Sequence, residues 1–172
     1  MARDDEDFSA FIVARYGTLV RSAVLLGCSR QEAEDAVQDA LLRCYRSWAR
    51  VKRAQDPDAY VYRVLVNGIF GGWRRRWRHE IPVGELPEPA AGEDIARDVL
   101  MRQGVRTSLL SLGVQHRQVL VLRYFVDLTE AQVAEVLGIP RGTVKSRASR
   151  AIAQLAQDSS LAELVTTQEE QP

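Results

Sequence analysis

Leu128-Thr129-Glu130-Ala131-Gln132-Val133-Ala134-Glu135-Val136-Leu137-Gly138-Ile139-Pro140-Arg141-Gly142-Thr143-Val144-Lys145-Ser146-Arg147 is the stretch on which the fold turns. Thr129 and Gln132 have the spacing of a capping box, in which each side chain satisfies an amide of the other at a helix start. Ala134 is small where a second helix must cross closely. Gly138 supplies a left-handed residue to end the first helix, and Val144 packs back from the next. On that next helix Val144, Ala148, Ile152 and Leu155 recur at i, i+4, i+8 and i+11, which predicts an apolar stripe. Lys145, Ser146, Arg147, Ser149 and Arg150 are left outward near its N-terminal half. This pattern is a helix-turn-helix, whose second helix presents its N-terminal half to the DNA major groove. A structural helical hairpin with a solvated basic face is the bland alternative. The Ala/Gly/Val spacing together with the basic cluster favours DNA.

Charge along the chain agrees. The whole carries 23 basic and 23 acidic residues, yet they fall in blocks. Residues 1–45 have 5 basic and 8 acidic side chains, 46–79 have 9 and 2, 80–100 have 1 and 6, 101–150 have 8 and 3, and 151–172 have 4 acids alone. Two basic segments separated by an acidic one indicate two places that touch a polyanion, with acidic surface left for other partners.

Residues 80–98 combine three prolines, two glycines and an acidic excess without an apolar period, and read as a flexible linker. The chain therefore divides into a domain at 1–79, the linker at 80–98, a domain at 99–157 and an acidic tail at 158–172. The two domains are expected to behave independently when free. In the first, a helix from about Phe8 to Leu26 stops near Gly27. A second starts after Ser29, with Glu32 completing a capping box, and runs towards Trp48. Asp56-Pro57-Asp58 opens another, with Asp56 capping and Pro57 at the first helical position, weakened midway by Gly71-Gly72. The fold class is all-α, two small helical domains.

Other classes recede. No apolar stretch comes close to the roughly 20 residues that cross a bilayer. Met1-Ala2-Arg3-Asp4-Asp5-Glu6-Asp7 is acidic where a secretory signal is basic and then apolar, so a cytoplasmic location and no membrane partner are expected. Cys28 and Cys44 lack any metal spacing and read as small core residues; no metal or cofactor is expected. His79 and His116 stand alone, with no catalytic constellation around them, so no enzyme and no catalytic residue is expected.

Two further patterns carry function. In Ala33–Trp48, Val37, Leu41, Cys44 and Trp48 share one helical face, while Asp35, Gln38, Asp39, Leu42 and Arg46 share the opposite one. An acidic stripe with one leucine suits a basic helical partner. In the 56–79 helix, Val61, Leu65, Gly68 and Ile69 share a face and Arg63, Asn67, Phe70 and Arg74 another, ending Trp73-Arg74-Arg75-Arg76-Trp77-Arg78. Arginines give salt-dependent phosphate contacts, and the interleaved tryptophans can stack on unpaired bases.

These residues together resemble the extracytoplasmic-function RNA polymerase sigma factors, of the actinobacterial type. Asp35, Gln38 and Asp39, with Leu42, are similar to the region 2 surface that meets the β′ clamp coiled coil of core polymerase. Tyr62-Arg63-Val64-Leu65-Val66-Asn67 and the arginine-rich end resemble the helix that reads the −10 element, and Arg53 to Asp56 the loop that captures a flipped base. The resemblance thus implies −10 contacts from Arg53, Asp56, Arg63, Asn67, Trp73, Arg74, Arg75 and Arg76. It implies −35 contacts from Arg141, Thr143, Lys145, Ser146, Arg147, Ser149 and Arg150. Ser149 is small where the family often carries a bulkier side chain, so base preference does not transfer. The implied partners are core RNA polymerase (β′ clamp and β flap), promoter DNA and an anti-sigma protein. A helix-turn-helix regulator working without polymerase is the alternative; the basic, aromatic end of the 56–79 helix argues against it.

Overall fold

The computed structural model describes residues 2–76 and 103–157, and the side chains of 4–71 and 103–157. Every regular element among them is helical: α1 (Ala2–Leu26), α2 (Arg30–Arg46), α3 (Trp48–Lys52), α4 (Pro57–Arg76), α5 over 103–111, α6 (Val114–Leu120), α7 (Glu130–Leu137) and α8 (Arg141–Ala156). A π-helical turn, Val121–Phe125, continues α6. The linker at 80–98, the tail at 158–172 and the side chains of Trp73, Arg74, Arg75 and Arg76 lie outside the described residues.

Local chemistry sets the helix ends. Gly27 ends α1 at φ 119, a conformation that strains any residue with a Cβ. Both capping boxes form: Ser29 with Glu32, and Thr129 with Gln132, whose Oε1 accepts from the Thr129 amide at 2.6 Å. Asp56 Oδ1 accepts from the Ala59 amide at 2.9 Å and so caps α4, which runs through Gly71 and Gly72 to Arg76. Gly138 adopts φ 65 between α7 and α8. The second helix stops earlier than its pattern predicts. Ser47 interrupts it, its hydroxyl donating back to the Arg43 carbonyl at 3.2 Å, and Trp48 begins α3.

The core follows the predicted faces. Val37, Leu41, Cys44 and Trp48 are buried, as are Val61, Leu65 and Ile69. Trp48 is held edge-on by Phe8 at 5.0 Å and lies 5.4 Å from Phe11, ring to ring. Burial pushes the Cys44 thiol up to about 11, which leaves it protonated and inert.

Two expectations change. Asp4–Leu26 spans 23 residues at a mean hydropathy of 1.3, long and apolar enough by that measure to cross a membrane. The sequence conceals this because Arg15 and Arg21 divide its apolar runs. In the fold, Phe8, Leu19, Ala23 and Leu26 are core, and Arg15 grips Asp58 of α4 through two hydrogen bonds of 2.8 and 2.9 Å. The second change concerns the domains, which are seated against each other. One continuous cluster of buried apolar residues runs from Phe8 to Ala151, with α7 along α4 and α6 with its π turn against α1. Reading 80–98 for an apolar period missed this, because the contact is made by the faces of α4 and α7 and by the end of α1.

Candidate functional site

The first face lies on α2. Asp35, Gln38, Asp39, Leu42 and Arg46 all point to solvent, and Leu42 is 49% exposed. Val37, Leu41 and Cys44 on the buried side fix the helix about its axis, and that leaves the acidic stripe outward. Gln38 and Leu42 also border an open apolar groove shared with Phe8, Ile12 and Tyr16 of α1. The Tyr45 hydroxyl donates to Asp5 across this groove at 2.8 Å, which ties the first turn of α1 to α2.

The second face begins at the turn before α4. Arg53 and Asn67 are exposed, whereas Asp56 and Arg63 are half-buried. The Arg63 guanidinium lies 5.4 Å from the centroid of the Tyr60 ring. Tyr62, in the middle of the motif, is buried and 3.4 Å from the Ser22 hydroxyl, so it belongs to the core. Burial raises its phenol above the ordinary tyrosine range.

The third face is the N-terminal half of α8. Arg141, Lys145, Ser146, Ser149 and Arg150 are exposed, while Thr143 and Arg147 are half-buried. Val144, Ala148 and Ala151 form the buried stripe. Ile152 does not join it and is 47% exposed. The helix turns 100° per residue, so the seam through Val144 and Ala148 continues to Ala151 and Leu155, and Ile152 falls beside it. Ile152 instead borders a shallow groove with Tyr124, Lys145, Ala148 and Ser149.

That groove has a cause not readable from periodicity. The π turn closes with the Val126 amide donating to the Val121 carbonyl at 3.0 Å, and Asp127 then takes φ 63. The wider turn carries Tyr124 and Phe125 to the surface, at 57% and 47% exposure. A non-glycine residue with positive φ is uncommon, though Asp tolerates it better than most.

The domain junction holds residues that sequence reasoning did not single out for function. Gln132 Nε2 donates to Asp56 Oδ2, and Glu135 one turn on lies 3.9 Å from Arg63. Arg117 of α6 is 5% exposed, with no ion pair among the described residues. Its Nη1 reaches only the Leu110 carbonyl, at 3.5 Å, and burial holds its guanidinium below the ordinary arginine range. Its Nη2 would lie 3.2 Å from a Cβ at Gly27, so the bare glycine makes room for it at the C-terminus of α1. The capping signature flagged Gln132 in the sequence; nothing there indicated that its amide nitrogen reaches 76 residues back.

Known proteins resemble the chain over nearly its whole length. Residues 12–79 match the family model described as sigma-70 region 2, and residues 109–157 that of sigma-70, region 4. The RNA polymerase sigma-E factor of Streptomyces coelicolor is 33% identical over 152 residues, 88% of this chain and 85% of that one. The ECF RNA polymerase sigma factor SigM of Mycobacterium tuberculosis is 30% identical over 156 residues, 91% of this chain and 79% of the relative. Among solved structures, the sigma factor RpoE in complex with the anti-sigma factor NepR from Bartonella quintana aligns with TM-score 0.73 at 23% identity. It covers 94% of this chain and 98% of that one. CnrH in complex with the cytosolic domain of CnrY aligns with TM-score 0.64 at 24% identity, covering 88% and 86%. At these identities the two structures show a shared fold.

Proposed function

The chain belongs to the sigma-70 family, as an extracytoplasmic-function sigma factor with regions 2 and 4 both present, and from that premise we propose how its surfaces divide the work. It binds core RNA polymerase and promoter DNA and directs promoter-specific transcription initiation. It catalyses no reaction of its own and acts in the cytoplasm. The observation that carries the reading is the order of the two regions in one chain. A helix-turn-helix regulator needs only the second; the first adds an outward acidic stripe and a basic helix rich in aromatics.

Asp35, Gln38, Asp39 and Leu42 meet the β′ clamp coiled coil. Their acidic, leucine-centred stripe complements a basic helix with an apolar contact. Arg141, Thr143, Lys145, Ser146, Arg147, Ser149 and Arg150 dock α8 on the duplex −35 element. Arg53, Asp56, Arg63, Asn67 and the segment Trp73 to Arg76 follow the −10 strand. Opening then proceeds by differential affinity. Unstacking a base costs a few kcal/mol, and stacking it on an aromatic returns about 1–3 kcal/mol. These nearly cancel, so strand opening draws on polymerase contacts as well. The β flap is the natural neighbour of region 4, and an anti-sigma protein would compete for these same surfaces.

The test is assembly of the purified full chain with core polymerase, followed by run-off transcription on a promoter library. Specific transcripts that need both components support the reading. DNA binding that proceeds alike with or without polymerase, and no transcripts, favours the regulator.

A further inference from the structure

The contact between the two domains falls on the residues that the preceding reading gives to the −10 strand. Asp56 has two carboxylate oxygens, and both are occupied. Oδ1 caps α4 through the Ala59 amide, and Oδ2 accepts from Gln132 Nε2. Gln132 is used twice as well, since its Oε1 completes the capping box of α7. One hydrogen bond therefore joins the N-terminal caps of two helices in different domains. One turn further along both, Glu135 faces Arg63. α7 thus lies along the start of α4, where an incoming strand would have to run.

The junction is also built to part. Arg117, buried against Gly27 with no ion-pair partner among the described residues, has lost hydration that no carboxylate replaces. Separating the domains returns water to it. The Glu135–Arg63 pair is long and largely exposed, and such pairs contribute little. The closed arrangement accordingly rests on the Gln132–Asp56 bond, the only one of these polar contacts that is charge-assisted and partly shielded.

We propose that this contact is an autoinhibitory clasp: in the free chain α7 covers Asp56 and Arg63, and the −10 strand gains them only when the domains separate. This rests on the strand-reading role of α4. It explains how a chain with two basic segments avoids engaging single-stranded nucleic acid before it is loaded on polymerase. Apparent affinity in such a system is the intrinsic affinity reduced by the fraction of open molecules.

Gln132→Glu tests it in the full chain. Glutamate at this position keeps the capping box, because its carboxylate still accepts from the Thr129 amide. It removes the donor to Asp56 and sets two carboxylates face to face. Small-angle scattering reads the separation as a larger radius of gyration. Fluorescence anisotropy reads affinity for a labelled single-stranded DNA pool of random sequence, expected to tighten by up to about tenfold, the shift that loss of one charge-assisted hydrogen bond gives. The added negative charge alone would weaken binding to a polyanion, so a gain in affinity comes from release. Glu135→Gln, at an exposed position with no core contact, should expand the particle less and in the same direction. A wild-type chain already as extended as Gln132→Glu overturns the clasp. An expanded variant that binds the pool no more tightly than wild type overturns inhibition while leaving α4 its role. If neither protein binds the pool, the role of α4 fails and the proposal with it.

Discussion

Replacing both Asp35 and Asp39 by alanine separates stability from partner binding more cleanly than any other change in this molecule. Both side chains are exposed, and neither forms an ion pair among the described residues. Asp35 accepts one long hydrogen bond from Gln31, at 3.4 Å. They sit beyond the first turn of α2, where the helix dipole has little hold on them. Alanine is the better helix former, by up to about 0.7 kcal/mol per residue, so folded stability should change by no more than about 0.5 kcal/mol per site and in the favourable direction. Affinity for core polymerase should respond quite differently. A charge-assisted hydrogen bond contributes about 1.5–3 kcal/mol. Discounting to the lower end for solvent at the rim, two lost contacts amount to about 3 kcal/mol, on the order of a 100-fold weaker complex. The loss should shrink as salt rises, because the wild-type contacts are screened while the variant has none to screen. Titration of labelled chain into core polymerase at two ionic strengths measures this, beside thermal melts of the free proteins. Undiminished affinity would refute the stripe. So would a loss that is independent of salt, or one accompanied by a melting temperature several degrees lower.

The other expectations concern DNA and pH. Arg150→Ala should weaken binding to a duplex −35 fragment by about 1–3 kcal/mol with relaxed sequence preference if it reads a base. If it holds a phosphate, it should weaken all sequences alike and reduce the salt slope by about one; gel-shift titrations at several salt concentrations tell the two apart. Asn67→Ala should leave −35 duplex binding intact and impair strand opening by the assembled holoenzyme, read by permanganate footprinting; normal opening would remove Asn67 from the strand path. Cys44 ionises near 9 in the unfolded chain and at about 11 when folded. Its contribution is therefore fully present below pH 9 and is lost as pH rises to 11, on the order of 1–2 kcal/mol. Denaturant melts across that window should show a steeper decline for wild type than for Cys44→Ala, and parallel curves would contradict the burial argument.

Much of this molecule was legible from its residues, because the signals involved are local. Capping boxes at Ser29/Glu32 and Thr129/Gln132 depend on spacing within one turn. Gly27 and Gly138 stand where a Cβ would strain the backbone, and Asp56-Pro57 marks a helix start by chemistry alone. The inward and outward faces of α2 and α4 follow from the helical period, and with them the acidic stripe. Ile152 and Ala151 show where that reasoning ends. Both fit an apolar helix face, and only the position of α6 and the π turn decides which is covered. The widening at Val121–Phe125 left no mark in the sequence, since it arises from how the chain closes into α7. The seating of one domain on the other was equally invisible. A hydrogen bond from Gln132 to Asp56, and the buried Arg117 beside Gly27, join residues far apart in the chain. Periodicity and capping describe what a helix does to itself. Which exposed faces meet depends on the folded chain bringing them together, and that is settled by tertiary packing.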